Sequence, residues 1–260
     1  MLAVALVLGL AGCKEKTKIL RPDMDALRAA NVGSYVFFGE YEQDNDVDTG
    51  KEAIEWLVLA KEEDRMLLIS RYGLDCQKYN SEDASVIWLT CSLRNWLNNS
   101  FYNLAFTPEE KNLILDSTIT YDGRVSTIYL RSAVFATKTP GTSNSMEQDT
   151  PTMGGVGPEN RIIEVAGVTD KLFLFTIDEV EQYFVDAAAR ACPGTPYCYK
   201  RGAWKDANGN CWWWLRTSGL SGDRATYVLD DGEIYSDGAY VTHDKIAVRP
   251  ALWINIGAEK

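Results

Sequence analysis

Two segments near the C-terminus constrain this chain more than any others: Trp212-Trp213-Trp214-Leu215-Arg216 and Val248-Arg249-Pro250-Ala251-Leu252-Trp253-Ile254. Both are dense in aromatic and aliphatic side chains that gain most by leaving water, so each belongs to a buried framework. Between them lies a stretch of small, polar and aromatic residues interrupted by Asp231-Gly232 and Asp237-Gly238. Asp-Gly between β-compatible residues is the strongest short hairpin signal, because both central positions of the tight turn need positive φ. Longer strands at 212–215 and 248–254 are therefore expected to carry short strands and tight turns, with Val228, Ile234 and Val241 as apolar anchors. Arg216 and Arg249 sit beside apolar residues and are expected to be paired or bonded to backbone carbonyls, since a partly buried guanidinium needs its donors satisfied. A rigid frame around a permissive insert is how a scaffold displays a binding surface.

Upstream, residues 34–39, 55–60 and 65–70 read as strands, separated by turn residues and a charged loop over 44–50. Leu93, Trp96, Leu97, Phe101 and Leu104 return to one face of a helix over 92–106. Thr107-Pro108-Glu109-Glu110 is a helix start, with a capping hydroxyl, proline at the first helical position and acids in the first turn. The polar stretch 141–160 reads as a surface insertion, and its glycines lack the strand-before, helix-after setting of a phosphate loop. Residues 171–175 are predicted as a strand, and Thr176 as the entry to a helix reaching about Ala191. With no internal repeat or linker, the expectation is one α+β domain over 32–260, of mixed and antiparallel strands with flanking helices.

Residues 1–12 form an uncharged apolar run ending Leu10-Ala11-Gly12-Cys13. The run is too short to cross a bilayer as a helix of ~20 residues but suits the apolar core of a secretory signal. Small residues before a cysteine match a lipobox, which makes Cys13 the lipidated N-terminus of the mature chain and 13–31 a tether, within which 23–30 reads as a brief helix or as tether. An apolar element of a cytosolic protein is the alternative reading of the same run. Export with lipidation implies attachment at a bacterial outer membrane or cell surface, with the periplasmic face as a variant. A net charge of -11 argues against nucleic acid as a partner and against a polybasic membrane surface, which leaves the lipid as the membrane anchor.

The residues do not converge on a catalytic constellation. His243 is the single histidine, so a Ser-His-Asp or Cys-His arrangement has only one candidate base. Asp44, Asp46, Asp48 and Glu55 have calcium-loop spacing, but the glycine falls at Gly50 rather than at the sixth position, and a solvated acidic turn is the competing reading. Asp206-Ala207-Asn208-Gly209-Asn210 lacks a distal acid. Cys76, Cys91, Cys192, Cys198 and Cys211 do not follow a metal spacing. A Cys192–Cys198 loop, a Cys76–Cys91 bridge and buried free thiols all remain open. No catalytic residue, metal or cofactor is assigned.

The combination of Val32-Gly33-Ser34-Tyr35-Val36-Phe37-Phe38-Gly39-Glu40-Tyr41-Glu42-Gln43, Ile54-Glu55-Trp56-Leu57-Val58-Leu59, Leu93-Arg94-Asn95-Trp96-Leu97-Asn98 and the two tail segments resembles a bacterial domain family with a C-type-lectin-like fold. That family is related in fold to formylglycine-generating enzymes, and the resemblance covers about residues 32–256. Those enzymes use a cysteine pair near the C-terminal end; here only Cys211 is in the comparable region, with Cys198 upstream, so the oxidase activity is not carried over. Within the group, the lipobox and tail resemble the treponemal variable lipoproteins of diversity-generating retroelements, in which a template is copied with errors at adenines.

The resemblance implies a variable region at about 212–254, framed by Trp212, Trp213, Trp214, Arg216 and Arg249. The positions implied to vary are Leu220, Ser221, Asp223, Arg224, Thr226, Tyr227, Leu229, Glu233, Tyr235, Ser236, Ala239, Tyr240, Thr242, His243, Asp244 and Lys245. Tyrosines among small residues suit a paratope, although Tyr227, Tyr235 and Tyr240 have packing on the core as their alternative. The implied partner is a protein or other macromolecular ligand whose identity a variable site does not encode. A formylglycine-generating-type oxidase and an unvaried cell-envelope adhesion module are the alternatives. Sugar binding does not follow from the fold alone.

Overall fold

The computed structural model describes residues 22–119 and 168–257. Cys13, the apolar run before it and the polar stretch 141–160 lie outside the described residues. After helix α1 (Met24–Ala29), strands β1 (Tyr35–Tyr41), β2 (Glu52–Lys61) and β3 (Arg65–Ser70) follow in antiparallel order. The last strand, β13 (Ala251–Asn255), returns from the far end of the sequence to pair antiparallel with β3, from Ala251 opposite Ile69 to Asn255 opposite Arg65. On β1, Val36 and Phe38 point inward while Tyr35 and Phe37 stay exposed, the alternation of a strand buried on one face. On β3, every residue from Met66 to Ser70 is buried, as befits an inner strand covered on both faces.

The helical spacing over 92–106 is realised as one continuous run: α2 (Ser92–Trp96), a π-helical stretch (Leu97–Phe101) and α3 (Tyr102–Ala105). Leu93, Leu97, Phe101 and Ala105, four residues apart, form its buried face, while Trp96 is half-buried and Leu104, expected on that face, is exposed. The expected start at Thr107 opens α4 (Pro108–Lys111) with a full capping box between Thr107 and Glu110. Glu110 does more than cap. It is buried, and its second oxygen accepts the Gly39 N–H at 2.9 Å, which ties α4 to β1.

Residues 171–175 do not form the expected strand. Strand β5 (Ser117–Ile119) pairs with β6 (Val168–Asp170), and the chain then loses ladder pairing except at Phe173, which bridges Ala251. Side chains take over its backbone groups. Asn98 Oδ1 accepts the N–H groups of Lys171 (2.7 Å) and Leu172 (3.0 Å), and Asn98 Nδ2 donates to the Leu172 carbonyl at 2.9 Å. The apolar run is buried without a ladder, a condition that strand-like composition does not disclose.

The helix entered at Thr176 is also shorter than expected. Capped by Thr176 and Glu179, α5 (Ile177–Tyr183) stops, and Asp186 caps a separate short helix, α6 (Ala187–Arg190). The side chain of Asp186 accepts the Ala189 N–H, so an N-cap lies where helix interior was expected. Two-residue strands β7 (Cys192–Pro193) and β8 (Asn210–Cys211) then pair around α7 (Pro196–Lys200).

The second sheet has the order β11-β10-β9-β12-β4, formed by β11 (Ile234–Tyr240), β10 (Arg224–Val228), β9 (Trp213–Ser218), β12 (Ala247–Val248) and β4 (Asp75–Cys76). Pairing is antiparallel apart from β12 against β9. The expected strand over 248–254 is thus two strands in two sheets. Pro250 lacks the N–H that a continuous ladder needs, and its carbonyl accepts the Ser70 N–H at 2.9 Å where the chain crosses over. Among the described residues the fold is mixed α/β with mainly antiparallel sheets, in keeping with the α+β class. No helix among them is long and apolar enough to cross a membrane.

The two Asp-Gly steps behave differently. Asp231-Gly232 does turn β10 into β11, with Gly232 at φ 86° packed so tightly that a Cβ would strike the Ala187 carbonyl. Asp237-Gly238 is not a hairpin turn. It lies inside β11, where the register with β10 shifts and Gly238 at φ 77° forms an irregularity beside the Ala225 backbone. Gly232 and Gly238 both take positive φ, but Asp231 and Asp237 do not, so neither step has the two positive-φ positions expected of the tight turn, and only the first changes strand.

Candidate functional site

The tail's support comes from residues that are buried or, at Arg216, half-buried. Trp213 and Trp214 are fully buried, and each indole N–H finds a carbonyl: Arg190 at 3.2 Å and Gln77 at 2.9 Å. Arg249 is buried against the rings of Trp213 (4.9 Å) and Phe184 (5.3 Å) and donates to the carbonyls of Ser70 (3.0 Å) and Arg190 (3.4 Å). Arg216 forks onto Glu179 at 2.5 and 2.8 Å and donates to the Leu174 carbonyl at 2.6 Å. The glutamate it grips is the one that caps α5, so one carboxylate locks the helix start to β9.

Trp212 departs from the role of buried frame. It is half-buried and lies at the centre of an aromatic group that rises from the core to the surface. Its ring stacks on Trp204 (5.1 Å, 21°) and approaches Tyr227 (5.7 Å) and His243 (6.2 Å), while its N–H donates to Asp230 at 2.7 Å. Tyr227 continues outward to Tyr235 (5.3 Å) and inward to Trp214 (6.2 Å), which meets Tyr79 at 5.5 Å. These contacts follow from register: Trp214 opposes Tyr227 across β9 and β10, and Tyr227 opposes Tyr235 across β10 and β11. Trp204 was not anticipated. An isolated tryptophan in the polar stretch Lys200 to Asn210 was its only signal, and its backbone N–H to Lys245 carbonyl bond (2.8 Å) brings it beside the insert.

Of the sixteen positions implied to vary, Leu220, Glu233, Tyr235, Ser236, Tyr240, Asp244 and Lys245 are exposed. Ser221, Asp223, Arg224, Leu229, Ala239, Thr242 and His243 are half-buried. Thr226 and Tyr227 are not surface positions. Thr226 is buried with its hydroxyl donating to the Thr217 carbonyl at 3.0 Å, and Tyr227 is enclosed by the ring group, which pushes its hydroxyl pKa up through burial. Burial also holds His243 below the ordinary imidazole value; Lys245 adds to the effect and Asp244 opposes it.

The accessible positions occupy the segment entering β10, the β10–β11 hairpin and the turn after β11. Around Trp212 lie His243 and Trp204, with Tyr235 reached through Tyr227. A second group centres on Arg224, whose guanidinium covers the Tyr240 ring at 4.3 Å and donates to the Gly238 carbonyl at 2.9 Å. Beside it Ser221 bonds Asp223, and Leu220 stands free of cover. The surface therefore offers flat rings and short polar groups.

The spacing-based calcium candidate is not brought together. Glu55 is held in β2 by Arg71 at 2.8 Å, and Asp44 and Asp46 accept the loop's own N–H groups. A different trio, Glu42, Asp44 and Glu52, has carboxylate oxygens within 4.8 Å of one another. Of the cysteine alternatives, neither Cys192–Cys198 nor Cys76–Cys91 is bridged. All five described cysteines are buried free thiols, and Cys192 lies directly opposite Cys211.

The C-terminal strands of the second sheet thus carry an aromatic and polar surface. The chain belongs to the family described as a domain of unknown function (DUF6273), whose model matches residues 63–256 and so includes every strand of the second sheet. No curated protein and no solved structure matches the chain.

Proposed function

We propose that this chain is a lipid-anchored bacterial envelope protein that presents a diversified ligand-binding site on a C-type-lectin-like scaffold. The observation that carries the reading is the partition of the tail. Trp213, Trp214 and residues 246–252 are buried, whereas fourteen of the sixteen positions implied to vary are exposed or half-buried on contiguous segments between them. Side chains on such segments can change without emptying the core, and tyrosines give large contact area with few rotatable bonds. The return of β13 to the first sheet, with the insert mounted on the second, supports the lectin-like reading of the fold. The lipobox ending at Cys13 supports the anchor and the envelope location.

The oxidase alternative needs a thiol that substrate and oxidant can reach. Cys198 and Cys211 are both fully buried, which weighs against it. Sequencing the locus in many isolates tests the proposal. Substitutions concentrated at the accessible insert positions, beside a near-copy of the coding segment that differs at adenines, are expected. Variation spread evenly over residues 32–257 would end the diversification reading and leave an unvaried adhesion module.

A further inference from the structure

Beneath the aromatic surface, three elements bring thiols together. Cys192 on β7 and Cys211 on β8 are direct cross-strand partners, and both are completely buried. Directly opposed antiparallel residues have Cα atoms roughly 4.5–5.5 Å apart, inside the range of about 4.4–6.8 Å that a disulfide spans. Burial raises the Cys192 thiol; the neighbouring Cys211 thiol and the buried Arg249 guanidinium outweigh it and bring Cys192 below the ordinary thiol value.

Four of the five described cysteines bond backbone groups, and the Cys192 thiol donates to the carbonyls of Arg71 (3.5 Å) and Pro193 (3.4 Å). Cys198 bonds to the Asp75 carbonyl at 3.2 Å, Cys76 to the Asp244 carbonyl at 3.3 Å, and Cys91 caps α2 by accepting the Arg94 N–H. Cys198 is nonetheless close: a side chain on Gly73 would touch the sulfurs of both Cys211 and Cys198. Geometry thus distinguishes one pair for bonding, with a third thiol beside it as the competitor.

We propose that Cys192 and Cys211 are a disulfide-forming pair, closing the loop that carries α7 and Trp204 and joining it to the strand that leads into Trp212. The oxidant is an external disulfide, met while the chain is still folding, because the native thiols are out of reach. The Cys192 thiolate attacks one sulfur of that disulfide and releases the other as a thiolate, leaving a mixed disulfide. Cys211 then loses its proton and attacks the Cys192 sulfur, expelling the second thiolate. The two protein thiols are oxidised and the external disulfide is reduced to two thiols. A closed loop restricts the unfolded chain, so the oxidised protein is the more stable form.

Full-length protein refolded in a mixture of glutathione and glutathione disulfide, then denatured, alkylated and peptide-mapped, tests the pairing. The expected result is one linked peptide pair joining Cys192 to Cys211, with Cys76, Cys91 and Cys198 alkylated. The melting midpoint of this form should exceed that of fully reduced protein by about 5 °C. Cys198→Ser should keep the same link. Alkylation of both Cys192 and Cys211, bonding of either to a different cysteine, or loss of the link in Cys198→Ser would overturn the proposal.

Discussion

Adjacent tryptophans in this chain have different tasks. Trp213 fills the space beneath β9 and satisfies its N–H inside, so Trp213→Ala should cost about 3–5 kcal/mol. Trp204, 42% exposed and stacked on Trp212, should cost less than about 1 kcal/mol when replaced by alanine. Urea unfolding of the two variants separates these outcomes, and equal losses would mean that the ring group is core throughout. His243 adds a pH signature. Its folded pKa lies below the unfolded value of 6.5, so the unfolded chain binds more protons between the two values. Stability should therefore fall as pH drops through that window and be regained as pH rises to about 7. In His243→Gln this slope should flatten when unfolding is followed across the same pH range.

Between elements, polar side chains settle what strand and helix propensities leave open. Asn98 supplies the acceptor and donor that residues 171–172 lack for want of a ladder. Asn98→Leu keeps the helical run but strands two N–H groups and a carbonyl, with an expected loss of about 2–4 kcal/mol. Thermal unfolding checks this, and a change within about 0.5 kcal/mol would show that the segment is satisfied otherwise. The capping boxes at Thr107 and Thr176 were readable because the hydroxyl and its glutamate are three residues apart. The Asn98 bonds were not, since 74 residues separate that side chain from Leu172. The failed strand at 171–175 has this cause, whereas the split helix after Thr176 has a local one, the Asp186 cap three residues before Ala189. Local composition reported burial correctly, but the partners that replaced regular pairing are distant in sequence.

For the whole molecule, the separation of frame and surface has a measurable consequence. Changing Leu220, Glu233, Tyr235, Ser236, Tyr240, Asp244 and Lys245 together to alanine should leave the circular dichroism spectrum unchanged. The melting midpoint should move by no more than about 5 °C, because exposed substitutions each contribute within about 0.5 kcal/mol. Cooperative unfolding lost in that variant would show that the insert is part of the stabilising core. Single changes at Thr226 or Tyr227, the two buried positions, should cost more than any of the seven.

By itself, the amino-acid order determined that the tail has apolar segments around a more polar stretch, where the early strands and the helix start at Thr107 lie, and that Arg216 and Arg249 need internal partners. These are local matters of periodicity, composition and unsatisfied donors. Tertiary structure alone decided which tryptophan reaches the surface, that Pro250 divides the final apolar run between two sheets, and that Trp204 joins Trp212. It also placed Cys192 opposite Cys211. Each of those outcomes depends on cross-strand register or on contacts between distant segments. Pairing at that range is set when the sheets assemble, and no spacing along the chain encodes it.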